Sequence, residues 1–377
     1  MISTKLLSPI WVGTQIDLRS MIGQLSQHTR IAIDTESNSL HAFREQVCLI
    51  QFSIPDHDYL LDPLAVKDLS SLSVLFSDPN IEKTFHAAEY DLICLKRDFD
   101  FNIVNLFDTM QAARILGYPA VGLNHLLFEK YKIIMDKRFQ KSDWARRPLP
   151  EDQLNYARMD THYLLDLRDL LSSELVSKDL WDLASEEFQR ISYNNEQSEQ
   201  GLDSPAWQRI NGSNRLTPQQ LAVLIELIEW RQIQAERMNR PVFKVINNNL
   251  LLAIAQSRPN RAEDLLSAGL TVRQTKIFGN DLIATVKKGL KKDPIKRSNA
   301  PRPDQDYLNR IEILRLWRRQ TGQKLGFESD LVLPRPFMQL IAEKNPQTIH
   351  DLSELMPHSP WRLEHYGQEI LKMLRGR

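Results

Sequence analysis

The chain predicts an α/β domain followed by two small all-α domains, and three observations carry that prediction. Short apolar runs rich in β-branched residues crowd the first third. Helical periodicity then takes over, and two helical segments towards the C-terminus match each other at one fixed offset.

The elements follow in order. RIAIDTES (30–37) and VCLIQFSI (47–54) read as strands, and HDYLLD (57–62) and IEKTFHA (81–87) extend the same sheet. Helical patterns cover DLSSLSVLF (68–76), AEYDLICLKRDF (88–99), FDTMQAARILG (107–117) and LNHLLFEKY (123–131), and one long helix spans 151–175. A last short strand falls near NIVNLF (102–107). Strands first, then helices interleaved with that strand, predict a mixed sheet rather than a doubly wound parallel one. No glycine-rich phosphate loop or dinucleotide fingerprint is present.

Residues 191–205 are polar and turn-prone and predict the end of the first domain; 291–305, rich in Pro, Lys and Arg, predict a second break. The expected domains are 1–195, 206–292 and 303–377. Between the last two, Trp230-Arg231 recurs as Trp317-Arg318, an offset of 317 − 230 = 87. Ile254-Ala255 meets Ile341-Ala342, Pro259 meets Pro346, Asp264-Leu265 meets Asp351-Leu352, and Ile283 meets Ile370 at that offset. Two helical domains of shared ancestry are expected.

Composition narrows the class. At 377 residues the chain exceeds one ordinary core, and 42% apolar with 25% charged residues suits a soluble globular protein. No run of about 18 apolar residues exists and the N-terminus does not read as a signal peptide, so a cytoplasmic protein without membrane contact is expected. Cys48 and Cys94 lie in apolar segments and are expected to be reduced thiols. Zinc is not expected, since no Cys/His cluster has ligand spacing. Net charge is zero, yet residues 1–200 hold 20 Lys+Arg against 30 Asp+Glu, and residues 201–377 hold 28 against 18. That −10 and +10 split predicts an acidic, metal-using half joined to a half that meets a polyanion; a chance partition of surface charge is the alternative.

Four carboxylates and a phenol lie in three separated stretches: Asp34 and Glu36 in IAIDTES, Asp91 in HAAEYDL, Tyr156 and Asp160 in YARMD. Residues two apart on a strand share a face, so Asp34 and Glu36 project together. Residues four apart on a helix do the same, so Tyr156 and Asp160 form one unit. Clustered carboxylates repel and raise one another's pKa unless cations bind, and hard oxygen ligands hold Mg²⁺ or Mn²⁺. Two such ions serve phosphodiester hydrolysis, and a phenol near pKa 10 suits aiming a water rather than taking its proton. Each piece alone also reads as turn chemistry, helix-dipole complement or a surface pair.

With those motifs in view, the chain resembles the DEDD exonuclease superfamily in its tyrosine branch. LFDTMQAARILGY, LNHLLFEKY and SDWARRPLPEDQLNYARMDTHYLLDL are similar to the connecting segments of the ribonuclease D family, and RQIQAERMNRPVFKVINNNLLLAIAQSRP resembles the HRDC domain. The resemblance implies a ribonuclease H-like fold with a five-stranded mixed sheet. It also implies 3′→5′ hydrolysis of RNA with release of nucleoside 5′-monophosphates, on structured substrates such as tRNA 3′ ends, by a monomer. By the same resemblance Asp34 bridges two metals, Glu36 and Asp160 complete the site that activates water, Asp91 serves the second metal, and Tyr156 positions the nucleophile. Ala88 stands where the family often has glycine, and the second repeat lacks an equivalent of Arg240-Pro241-Val242-Phe243.

Secondary candidates have two readings each. His86 touches a substrate phosphate or a metal-bound oxygen, or is a satisfied polar group. Asp108 is expected to cap the following helix. Arg138, Lys141, Arg146 and Arg147 contact the RNA backbone or belong to a solvated loop, while Trp144, Arg147 and Pro148 pack and orient that loop. Lys287, Lys288, Lys291, Lys292, Lys296 and Arg297 contact phosphates, or form a charged linker. Trp230 and Phe243 are expected in the helical core. Rival functions are a DNA 3′–5′ exonuclease of the proofreading or Werner type, a non-catalytic nucleic-acid scaffold, and a protein-interaction module.

Overall fold

The computed structural model describes residues 7–196, 205–295 and 304–376. Its first compact unit comprises Met1–Ser37, Val47–Ser198 and Pro303–Arg377, and its second comprises Asn38–Gln46 with Glu199–Arg302.

The first unit opens with β1 (Ile10–Val12) and α1 (Gln15–Leu25), then β2 (Arg30–Ser37), β3 (Val47–Ile54) and β4 (His57–Leu61). Next come α2 (Ser73–Ser77), β5 (Glu82–Phe85), α3 (Glu89–Phe99), β6 (Leu106–Asp108), α4 (Thr109–Ile115) and α5 (Leu123–Tyr131). The helices α6 (Glu151–His162), α7 (Leu164–Ser177) and α8 (Trp181–Glu196) complete this part. The sheet order is β1-β4-β3-β2-β5-β6; β3 runs antiparallel to both its neighbours, and the other pairings are parallel. The mixed sheet therefore has six strands among the described residues, not five. The extra one, β1, has only three residues, too few to show an alternation in sequence.

β3 is buried along its whole length, as a strand covered on both faces must be. One apolar core lies where α1 and α3 meet the sheet, and another where α4, α5, α7 and α8 meet it. The expected long helix over 151–175 is two, α6 and α7, parted at Tyr163. α8 runs on to Glu196, through part of the stretch expected to be a linker. Cys48 and Cys94 are buried and form no disulfide. No helix among the described residues is long and apolar enough to cross a membrane.

The first helical repeat, in the second unit, comprises α9 (Pro218–Met238), α10 (Val242–Val245), α11 (Asn248–Ser257), α12 (Ala262–Ser267) and α13 (Val272–Leu290). The second repeat, in the first unit, comprises α14 (Gln305–Leu325), α15 (Ser329–Val332), α16 (Arg335–Lys344), α17 (Ile349–Leu355) and α18 (Pro360–Leu374). Their correspondence reaches individual bonds. Arg231 Nη1 donates to the Ile246 carbonyl and Arg318 Nη1 to that of Leu333, both at 2.9 Å, and 333 − 246 = 87. Past α12 and α17 the offset becomes 88: Trp230 meets Phe278 edge-on at 5.5 Å, Trp317 meets Tyr366 at 5.6 Å, and 366 − 278 = 88. Leu282, rather than Ile283, is thus the fully buried counterpart of Ile370. α17 is one residue longer than α12, which accounts for the slip. Trp230 is buried as expected, but Phe243 is 49% exposed and not a core residue.

The second repeat is built into the α/β part of its unit. Arg362, fully buried, reaches Glu186 Oε1 at 2.5 Å, Glu187 Oε2 at 2.9 Å and the Leu331 carbonyl at 2.8 Å. Leu331 itself belongs to the core formed with α7 and α8.

Candidate active site

Asp34 stands where β2 leaves the core: Ile31, Ala32 and Ile33 are fully buried, and from Asp34 onward the strand is half-buried. Glu36, two residues on, shares its face. Across the antiparallel pairing Asp34 faces Gln51 and Glu36 faces Leu49. Gln51 Nε2 donates to Asp34 Oδ2 at 3.3 Å, while its buried Oε1 has no partner. α6 brings Tyr156 and Asp160 on one face, one turn apart. Carboxylate oxygens of Asp34, Glu36 and Asp160 lie within 4.8 Å of one another. Asp91 stands outside that trio, in the first turn of α3, where Thr35 Oγ1 donates to its Oδ1 at 2.5 Å. The structure thus gathers the five residues from three stretches around one place.

Asp108 explains how Asp91 is presented. Its carboxylate accepts from the backbone N–H of Met110 and Gln111, capping α4, and also from Ala87 at 3.1 Å and Ala88 at 2.8 Å. It therefore holds the turn that leads into α3 as well as the helix it was expected to cap. The left-handed backbone in that turn is at Ala87, with φ of 64°, while Ala88 is in the ordinary helical region. The residue under conformational constraint is therefore Ala87, not Ala88.

The electrostatics match an acidic cage. Burial, then Asp91, Asp160 and Glu36, push the Asp34 carboxyl well above its ordinary range. Glu36 is raised by burial and by Asp160 and Asp91. Burial lifts Asp91 to about 7 against the Thr35 hydrogen bond, and burial with Asp91 lifts Asp160 to about 7. Tyr156 is raised by burial and by Asp160 and Glu36, so its phenol keeps its proton at neutral pH. Four repelling carboxylates with an unpartnered amide oxygen nearby form a hard-oxygen donor set that fits divalent cations of the Mg²⁺ type.

The secondary candidates divide. His86 Nδ1 pairs with Thr109 Oγ1 at 2.9 Å, and burial lowers its pKa to about 4, so it is a neutral, satisfied ring. Arg147 is committed inside the protein: it pairs bidentately with Asp62 at 2.7 Å and donates to the carbonyls of Cys48 and Trp144, which removes it from RNA contact. Trp144 is buried against Tyr156, with ring centres 6.1 Å apart. Arg138 pairs with Asp136 and, with Phe139, lines a cavity of about 250 Å³ that also borders Tyr156. Lys141 and Arg146 are exposed. In the first repeat Lys288 and Lys292 both pair with the buried Glu226 while their side chains stay 63% and 50% exposed; Lys287 and Lys291 are exposed as well. Lys296 and Arg297 lie outside the described residues.

Sequence reasoning missed Thr35, Gln51 and the Asp58 cluster. Asp58, buried, accepts from Ser53 Oγ at 2.7 Å, His162 Nδ1 at 2.9 Å and Arg158 Nη2, fastening α6 to β3 and β4. Thr35 could have been noticed inside the first motif. Gln51 and Asp58 carry no local signal.

The comparisons agree with this geometry. A family model described as 3′-5′ exonuclease matches residues 9–176, and one described as HRDC domain matches 220–286 and 308–374. Ribonuclease D of Desulfotalea psychrophila is 30% identical over 287 residues, 75% of this chain and 76% of that protein. Ribonuclease D of Nitrobacter hamburgensis is 28% identical over 377 residues, 97% of this chain and 95% of that protein. The crystal structure of Escherichia coli RNase D, an exoribonuclease involved in structured RNA processing, matches with a TM-score of 0.71 at 26% identity, covering 98% of this chain and 99% of that one. Motifs, fold and relatives together place the chain in the ribonuclease D family, and it is a 3′–5′ exoribonuclease.

Proposed function

We propose that the chain trims the 3′ ends of structured RNAs, tRNA precursors among them, releasing nucleoside 5′-monophosphates by means of two divalent cations, Mg²⁺ or Mn²⁺. The observation that carries this reading is the convergence of Asp34, Glu36 and Asp160 oxygens within 4.8 Å. In the proposal Asp34, Glu36, Asp91 and Asp160 hold the ions and Tyr156 is catalytic beside them. Ions bound there would activate the attacking water and neutralise charge on the leaving oxygen.

The chain's own residues do the rest. Tyr156 hydrogen-bonds the water and aims it, since its raised pKa keeps the phenol protonated and unable to take the water's proton. Thr35 fixes the Asp91 carboxylate, and Gln51 steadies Asp34. Arg138, Lys141, Arg146, Lys287 and Lys291 are the proposed phosphate contacts. Exposure supports all five in that role, and Arg138 is in addition paired with Asp136. The proposed functional domains are 1–195, 206–292 and 303–377, in a monomer. Two buried cysteines without a disulfide suit the cytoplasm, which is the proposed location.

The test is digestion of a tRNA carrying extra 3′ nucleotides, with and without Mg²⁺ and with matched DNA beside it. Mg²⁺-dependent release of nucleoside 5′-monophosphates from the RNA supports the reading. Metal-independent cleavage, or a clear preference for DNA, ends it.

A further inference from the structure

The nine residues between β2 and β3, Asn38–Gln46, cluster with the first helical repeat rather than with the sheet that carries them. This matters because β2 and β3 supply Asp34, Glu36 and Gln51, and the loop begins two residues after Glu36. The strand pairing also shifts register between Glu36 and Ser37, at the mouth of the loop.

The loop is held at both ends. At its neck Asn38, 3% exposed, donates its N–H to the Gln46 carbonyl at 3.2 Å and accepts the Gln46 N–H on its side chain at 2.8 Å. The Asn38 carbonyl accepts from His41 at 2.8 Å and Ala42 at 3.1 Å, which makes the first half a compact turn. At its tip Phe43 packs against the apolar core of the first repeat, and its N–H donates to Asn239 Oδ1 at 3.2 Å. Asn239 is the left-handed cap that ends α9. Arg44 and Glu236 pair at 3.3 Å, but both are well exposed and contribute little. Phe43 and Asn239 therefore carry the grip.

We propose that this loop is a strap: Phe43, seated on the first helical repeat, is a positioning residue for the catalytic strand that bears Asp34 and Glu36. The proposal rests on the catalytic reading above. It assigns the first repeat a part in the chemical step, beyond holding RNA. A strap fixed at tip and neck restricts the strand end it leaves, and displacement of a reacting group by about 1 Å costs up to about a hundredfold in rate.

The test uses the full chain with Phe43→Ala, Phe43→Leu and Asn239→Ala. The first readout is kcat on an RNA trinucleotide against KM on a long RNA. The second is hydrogen exchange of residues 34–51 in protein stripped of metal. Phe43→Ala is expected to lower kcat on the trinucleotide about tenfold, to raise exchange across 34–51, and to leave KM on long RNA nearly unchanged. Phe43→Leu restores most of the loss, and Asn239→Ala, which removes one acceptor and no core atom while straining the left-handed cap of α9, shows a smaller change in the same direction. Loss confined to KM on long RNA, or unchanged exchange in 34–51, overturns the strap. So does an Asn239→Ala protein unchanged in both readouts when Phe43→Ala merely unfolds. An inactive wild-type protein would instead defeat the catalytic reading, and the exchange measurement would still judge the strap.

Discussion

Two groups of buried acids in the same unit are treated in opposite ways. At the junction with the second repeat, Glu186 and Glu187 meet Arg362, and Arg190 also reaches Glu187 at 2.5 Å. There the arginines hold the Glu187 carboxyl below its usual range despite burial. Asp58 is likewise held low by His162, Ser53 and Arg158 despite its burial. Around β2 and α6 no cation answers Asp34, Glu36, Asp91 or Asp160 among the shifts resolved there, and all four are raised. The fold answers these structural acids with cations, and it answers the buried Asp108, whose carboxyl is also raised, with four backbone N–H groups. Where it leaves four uncompensated, the balancing charge must come from outside, and that difference marks the site.

Opposite responses to mutation should expose the contrast. Asp34→Asn is expected to lower RNA hydrolysis by roughly a thousandfold or more. It should also stabilise the metal-free protein by about 1–2 kcal/mol at pH 8, because it removes a repelling charge. Denaturant melts beside activity assays check both, and a destabilised Asp34→Asn protein would break the contrast. Arg362→Ala should do the reverse and cost about 3–5 kcal/mol of fold stability, since it strands the buried Glu186 carboxylate and leaves Glu187 with Arg190 alone. A loss under about 1 kcal/mol would mean water reaches that junction after all.

The pH dependence should also differ in sign. Asp91 and Asp160 have folded pKa values raised to about 7, so their stabilising contribution is complete below the unfolded value near 4 and lost as pH rises through about 7. The metal-free melting temperature should fall between pH 5 and 8, and saturating Mg²⁺ should flatten that fall. Asp58 and Glu187 have lowered values, so their contribution is present above the unfolded pKa and disappears only as pH drops below about 4. A metal-free melting temperature flat from pH 5 to 8 would deny the uncompensated cluster.

The smallest effects sharpen the contrast within the first repeat. Lys288→Ala with Lys292→Ala strips the buried Glu226 of both partners and should cost about 1–3 kcal/mol. Lys287→Ala with Lys291→Ala should leave stability nearly unchanged and reduce the salt slope of RNA binding by about one per lysine. Equal salt slopes for the two double variants would show that position in the run, not pairing, decides contact.

Local chemistry was legible in the sequence, and distant pairing was not. Strand alternation placed Asp34 beside Glu36 and helical spacing placed Tyr156 beside Asp160, because each rests on one element's own period. The Trp-Arg repeat was legible because ungapped matching survives until α17 adds a residue. β1 stayed hidden because three residues show no period. The pairing of Lys288 and Lys292 with Glu226, the commitment of Arg147 to Asp62, and the seating of Phe43 stayed hidden for a different reason. Each joins residues far apart in the chain, and a charge run or a lone aromatic looks the same whether its partner is water or protein.

The central claim is that the acids around β2 and α6 await cations. Titration of metal-free protein with Mg²⁺ at pH 7.5, followed by proton release, tests it most directly. Protons displaced from wild type, and far fewer from Asp34→Asn, are the predicted result. Binding without proton release, or equal release from both proteins, would contradict it.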